Sequence, residues 1–156
     1  MPSLNKLSES TRNSILTLPV DVNESTPFTP VKKPLSASRV AIVTSAGLHL
    51  REDRPFTAGD PTYRVIPSDA PAASLVQSHT SIGFDRTGVL EDINVVFPIN
   101  RLREMVAGGR IGELAPHFYS FMGAQRDTSA IKERTAPEVA GLLLGEGVDV
   151  VLLTPT

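Results

Sequence analysis

The sequence predicts an α/β fold, a mostly parallel sheet with flanking helices in Rossmann-like layers, incomplete at its C-terminus. Three observations predict it. Val40-Ala41-Ile42-Val43 is a continuous apolar run, the pattern of a strand buried on both faces. A helical pattern followed by a strand pattern then occurs twice, once ending at 118–122 and once at 148–153. Small residues, Thr44-Ser45-Ala46-Gly47, close the first strand with a tight turn, at the carboxyl edge where open α/β sheets bind ligands.

The composition bounds the function classes. The chain has 156 residues, the length of one domain, with 40% hydrophobic and 21% charged residues, so it is not a bulk-disordered polymer. Lys+Arg is 15 and Asp+Glu is 17, a net charge of -2, which argues against a broadly basic nucleic-acid binder. No apolar run approaches the roughly 20 residues of a membrane span, and Met1-Pro2-Ser3-Leu4-Asn5-Lys6 lacks a secretion signal's apolar core. The expectation is a cytoplasmic protein with neither nucleic acid nor membrane as partner. There is no cysteine, which excludes disulfides, thiolate-zinc sites and thiol catalysis within these residues.

Residues 1–38 are rich in Ser, Thr, Asn and Pro and predict an extended or partly disordered arm ahead of an α/β domain at 39–156. Ile15, Leu16 and Leu18 form an apolar cluster able to dock as one helical turn, and Pro27, Pro30 and Pro34 punctuate an extended approach. After the first strand, 51–61 is charged and carries two prolines, a loop. Tyr63-Arg64-Val65-Ile66 alternates and predicts a strand, stopped by Pro67 and Pro71. Residues 78–94 have little periodicity and many polar groups, among them Ser78, His79, Thr80, Asp85 and Arg86, the mark of a functional or mobile segment. Asn94-Val95-Val96-Phe97-Pro98 is a short apolar run closed by proline. A helix follows, with Asn100 as N-cap, Leu102, Met105 and Val106 on its apolar face, and Gly108-Gly109 as the stop. Phe118, Tyr119, Phe121 and Met122 predict a core strand ending at Gly123. Thr135 and Glu138 have capping-box spacing with Pro137 in the first turn of a second helix, stopped by Gly145 and Gly147. Residues 148–153 then predict a central strand, which a parallel sheet covers with a crossover helix. None follows in these residues before Thr154-Pro155-Thr156.

The candidate chemistry is sparse. His49, His79 and His117 fit no compact metal motif, so no metal site is expected. His49, just after the first turn, and His79, in the polar stretch, are the candidate catalytic acids or bases. His117 precedes the aromatic cluster and reads equally as a hydrogen-bonded core or rim residue. Ser45 lacks a G-x-S-x-G context, which leaves a hydrolase triad unsupported. The turn Thr44-Ser45-Ala46-Gly47 offers backbone donors to an anion. Arg51, Arg54, Arg101 and Arg103 are able to grip a carboxylate, with at least one of the last two on a solvated helix face. Ser45, Gly47 and Arg51 are therefore the candidate substrate-binding residues.

These motifs, in order, resemble the selenoprotein B family of glycine, sarcosine, betaine and D-proline reductases. The resemblance is carried by Lys33-Pro34-Leu35, by 38–49 from Ser38-Arg39 to Leu48-His49, by Arg64-Val65-Ile66-Pro67, Ser78-His79, 92–99, Arg101-Leu102, Ile111-Gly112 and 119–123. It runs from about Phe28 to Thr156, and the short chain is more like the D-proline reductase type. The resemblance implies reductive cleavage of a C–N bond in a small amine or amino-acid substrate. A selenocysteine, or a cysteine in some members, just after the strand at 148–153 attacks the α-carbon and expels the amine. A pyruvoyl group on a partner subunit activates the substrate amine in the glycine and D-proline systems, and a thiol electron donor reduces the selenium adduct. This chain itself is expected to hold no cofactor. Here neither selenocysteine nor cysteine is present, and selenocysteine is encoded by a codon ordinarily read as stop. The expectation is a chain truncated at that codon after Thr156 and inactive as it stands. Two alternatives remain: a thiol or selenol oxidoreductase of different substrate, and a non-catalytic binding or assembly subunit complete as written.

Overall fold

A computed structural model describes residues 4–17, 22, 24–26, 28–81, 84 and 86–156. Leu18, Pro27 and Asp85 lie outside the described residues. The chain divides into two compact units, Met1–Pro30 and Val31–Thr156. The first holds helix α1 (Glu9–Leu16), whose N-cap Ser8 accepts the Thr11 N–H at 3.2 Å. Both Ile15 and Leu16 on it are exposed.

The second unit is built on a mixed, mostly parallel sheet, the α/β fold expected. Strand β1 (Arg39–Thr44) runs through its middle, and Val40, Ala41, Ile42 and Thr44 are buried. Along one side β1 pairs in parallel first with β5 (Glu113–Leu114) and then with β6 (His117–Phe121). Along the other it pairs in parallel with β7 (Val150–Thr154), from Val40↔Val150 to Thr44↔Thr154. Strand β3 (Tyr63–Pro67) adds to β6 antiparallel. A separate antiparallel ribbon joins β2 (Leu48–Leu50) to β4 (Leu75–Gln77). Phe97, Phe118, Ile42, Ile66 and Tyr119 fill the core, with Phe97 edge-on to Phe118 at 5.8 Å.

Several expectations are corrected. The 94–98 run, left without an element by its pattern, begins in a 3₁₀ turn at Ile93–Val95 after the short helix α2 (Thr87–Glu91), capped by Asp92 accepting the Asn94 N–H. Helix α3 (Ile99–Ala107) starts one residue before Asn100, whose N–H is taken by the Asn94 Oδ1 at 3.0 Å, so the cap comes from outside the helix. The Thr135–Glu138 capping box does not form. The helical run starts at 129, passes through a π turn at Ile131–Thr135 and continues as α4 (Ala136–Gly145). Pro137 is therefore interior. A proline there removes a donor and crowds the carbonyl four residues back, and the wider turn just before it accommodates both effects. Thr135 instead donates its hydroxyl to the Pro61 carbonyl at 2.9 Å, tying helix to loop. Among the described residues β7 pairs with β1 alone, and Leu152 and Leu153 are exposed, Leu153 by 67%.

Among the described residues, no helix is long and apolar enough to cross a membrane, and no group of three His, Cys, Asp or Glu is placed to hold a metal.

Candidate functional site

Parallel pairing brings the C-terminal ends of β1, β6 and β7 to one edge of the sheet. Ser45, Met122-Gly123 and Pro155-Thr156 meet there, and Ala46 bridges to Met122. The ends are cross-tied. Ser45 N–H donates to the Thr154 carbonyl at 3.2 Å, and the Thr156 N–H donates back to Ser45 Oγ at 2.9 Å. The buried Thr44 hydroxyl lies within hydrogen-bond reach of the Val96 and Thr154 carbonyls and accepts the Ala46 N–H. A cavity of about 500 Å³ opens at this edge, lined by Ser45, Met122, Gly123, Thr154 and Thr156 among others. A second cavity, of about 740 Å³, carries Thr80, Ser81, Arg126 and Asp127 on its wall and shares Ala124 and Gln125 with the first. Ala124 has φ of 55°, left-handed backbone that a non-glycine residue rarely adopts.

This geometry changes the reading of the first turn. The backbone donors expected to face an anion are all consumed: Ser45 by Thr154, Ala46 by Thr44, and Gly47 by the Phe121 carbonyl at 2.9 Å. Gly47 has φ of 65°, and a Cβ on it would lie 3.1 Å from the His79 backbone nitrogen. Its carbonyl accepts the Ser78 N–H at 2.9 Å. Gly47 thus fixes where the 78–79 segment crosses the sheet edge, and Ser45 acts through its side chain.

His79 is brought to this edge. It is 2% exposed and stacks on Phe84 at 4.5 Å, so the packing partner that its polar sequence neighbourhood hides is an aromatic ring five residues on. The Ser81 N–H donates to its Nδ1 at 3.3 Å. Its carbonyl is held by the Arg86 guanidinium. Burial, with the Arg86 charge adding to it, holds the His79 pKa below the ordinary histidine value. Its buried Nε2 finds no partner among the described residues. A Cβ on Gly123 would stand 2.8 Å from that Nε2, 2.8 Å from the Ser45 carbonyl and 3.0 Å from the Thr156 carbonyl. Thr154 Oγ1 is a second buried polar atom without a partner at the same edge.

The other candidates sit elsewhere. His49 is on β2 with both ring nitrogens engaged, Nδ1 with the Leu50 carbonyl at 2.6 Å and Nε2 with the Ser78 hydroxyl at 2.8 Å. It anchors the ribbon to the segment that carries His79. Arg51 follows β2, reaches the Ala73 carbonyl at 3.4 Å and does not line the cavity at the carboxyl edge. Arg54 lends its carbonyl to Arg64. Arg101 pairs with Glu104 on an exposed helix face, and Arg103 clamps the Ser68 and Ala70 carbonyls. His117 pairs with Glu146 at 2.6 Å. The residues that sequence reasoning missed are Gly123, Thr154 and Ala124. The one signal for Gly123 was its place directly after an aromatic strand.

The family model for glycine/sarcosine/betaine reductase selenoprotein B matches residues 3–156. The chain is 45% identical over 128 residues to the D-proline reductase subunit gamma of Acetoanaerobium sticklandii, covering 81% of this chain and 52% of that one. It is 32% identical over 142 residues to the sarcosine reductase complex component B subunit beta of Peptoclostridium acidaminophilum, covering 88% and 32%. It is 29% identical over 145 residues to the glycine reductase complex component B subunit gamma of Carboxydothermus hydrogenoformans, covering 89% and 33%. The chain thus spans about half of the first relative and about a third of the other two. No solved structure gives a significant match.

Proposed function

The chain belongs to the glycine/sarcosine/betaine reductase selenoprotein B family, and from that premise we propose that it supplies the N-terminal α/β part of a reductase subunit that cleaves a C–N bond in a small amino-acid or amine substrate. The D-proline type is favoured by the 45% identity to a D-proline reductase subunit gamma. The reaction adds two electrons and two protons across the C–N bond, one proton to the carbon fragment and one to the amine, while a dithiol donor becomes a disulfide. The attacking selenolate or thiolate is proposed to follow Thr156. A turn between a strand and a helix N-terminus stabilises such an anion. The pyruvoyl group is assigned to a partner subunit in this reading, and no residue of this chain is assigned to hold it. The proposed location is the cytoplasm.

The observation that carries this reading is the convergence at the carboxyl edge. Ser45 holds the Thr156 N–H at 2.9 Å, beside a cavity of about 500 Å³ and next to the unpartnered Nε2 of buried His79. His79 is the proposed catalytic residue and Ser45 the residue that sets the turn. Gly47 and His49 position the 78–79 segment. Arg51 would contact substrate only if the loop at 51–61 moved.

The gene and an assay test this. The codon after Thr156 should be UGA within an open frame, and the extension should carry a nearby cysteine. The full-length subunit, assembled with its pyruvoyl partner and supplied with dithiothreitol, should open D-proline or release the amine from glycine, sarcosine or betaine. A UAA or UAG codon, or an assembled complex inert toward all four substrates, would remove the catalytic reading and leave an assembly subunit.

A further inference from the structure

Every backbone donor of the first turn is spent inside the protein, yet the carboxyl edge retains one buried ring nitrogen that no described residue binds. The tautomer of His79 follows from its contacts. Nδ1 accepts the Ser81 N–H at 3.3 Å, so in the neutral ring the proton is on Nε2. Among the described residues that N–H has no acceptor, in a fully buried position. Leaving such a donor unpaired is costly, which makes it a mark of a place where a partner arrives. Gly123 is common to both sides of the problem. It lines the cavity of about 500 Å³, and Nε2 lies 2.8 Å from where its Cβ would be. A side chain at 123 would collide with this nitrogen and with the Ser45 and Thr156 carbonyls, so only glycine lets the ring stand directly behind the cavity wall. The sign of the partner follows from charge. Among the described residues, the charged group that acts on His79 is Arg86, a cation, which disfavours an imidazolium and favours an anionic acceptor. Phe84 stacked on the ring holds its plane and keeps water from it.

We propose that His79 works as a preorganised neutral Nε2–H donor, aimed past Gly123 at an anion bound at the Thr156 end of β7, and does not shuttle a proton. The anion is either a chalcogenolate carried by the chain or the carboxylate of an amino-acid substrate. This rests on the reductase reading for its kinetic test, but the tautomer and the donor role are properties of this chain's own residues. A preorganised donor needs no reorganisation when charge develops on its partner, and removal of one such donor costs about a hundredfold or more in turnover.

Three variants of the full-length subunit separate the possibilities. His79→Phe keeps a ring on Phe84 and removes the donor. His79→Gln places an amide N–H near the same position and has no titrating proton. Gly123→Ala puts a methyl against Nε2. In the assembled complex, His79→Phe and Gly123→Ala should each lose about a hundredfold in kcat/KM, and His79→Gln should stay within about tenfold of wild type. The two sources of the anion give different signatures. If it is the chalcogenolate, the pH midpoint for alkylation by iodoacetamide rises in His79→Phe and not in His79→Gln. If it is the substrate carboxylate, the alkylation midpoint is unchanged and KM rises. Nitrogen-15 spectra of the histidine-labelled subunit should show a bare Nδ1 and a protonated Nε2. His79→Gln as inactive as His79→Phe would overturn the donor role in favour of proton transfer. An Nδ1–H tautomer, or activity untouched in His79→Phe, would overturn it outright. A wild-type complex without reductase activity would refute the function proposed above, while the tautomer and the alkylation midpoint would still decide the donor role.

Discussion

His79 is buried at 2% exposure with its pKa held down by burial and by Arg86, and that has a measurable consequence for stability. The unfolded chain carries a histidine of ordinary pKa, about 6.5. Between that value and the lowered folded value, the unfolded state binds the proton first. The stability that comes from a neutral His79 is therefore complete above about pH 6.5 and is lost as pH falls toward the folded pKa. Denaturant midpoints should drop between about pH 7.5 and pH 5.5, and His79→Gln should flatten that drop. An equal slope in the variant would assign the effect to another group. The carboxylates act in a lower window. Burial opposes ionisation of Asp60, but its bonds from Thr62 and the Arg64 guanidinium outweigh that and lower its pKa. The stability it contributes is lost only as pH falls through the acid range, below about 4.

Among the elements, α4 shows how a tertiary bond replaces a local one. The T-x-x-E spacing at Thr135 and Glu138 suggested an N-terminus, but the helix begins at 129, where Asp127 accepts the Ser129 N–H at 2.9 Å and its hydroxyl at 2.6 Å. Thr135 is spent on the carbonyl of Pro61, a residue that lines the second cavity. Thr135→Val should therefore cost about 1 kcal/mol, since it removes a part-buried hydrogen bond from a buried side chain. Glu138→Ala, on an exposed face, should stay within about 0.5 kcal/mol of wild type. Chemical denaturation of both variants checks this, and a large loss in Glu138→Ala with none in Thr135→Val would restore the capping box. Strand β7 is the other instructive element. Its run of Val and Leu predicts burial on both faces, yet among the described residues it pairs with β1 alone and Leu152 and Leu153 stay exposed. Residue type alone does not tell on which sides a strand finds a neighbour.

On the Val31–Thr156 unit, α4 and β7 each expose a pair of leucines, Leu142 with Leu144 and Leu152 with Leu153. An open strand edge flanked by leucines templates association. The 156-residue chain by itself should bind a hydrophobic dye and self-associate with increasing concentration. Leu153→Lys should weaken the association without lowering the thermal midpoint by more than a few degrees. Sedimentation at several concentrations measures this, and a wild-type chain that stays monomeric and dye-free throughout would show that the face is already satisfied.

What the sequence determined by itself was the order of elements and the chemistry on offer. The buried run at Val40–Val43, the strand at Tyr63, the aromatic strand before Gly123 and the absence of cysteine are all local facts, because apolar periodicity and composition need no neighbours to be read. His79 was legible as a candidate from its polar surroundings, though the reason offered was incomplete, since Phe84 packs its ring. Only the tertiary structure decided which candidates meet. Parallel pairing of β1 with β6 and β7 put Ser45, Gly123 and Thr156 at one edge, and left Arg51 on the β2 side of the molecule. It also spent the backbone donors of the first turn on the Phe121 and Thr154 carbonyls. Those bonds join residues far apart in the chain, and hydrogen-bond satisfaction at such distances is a property of strand order and register, which no window of sequence contains.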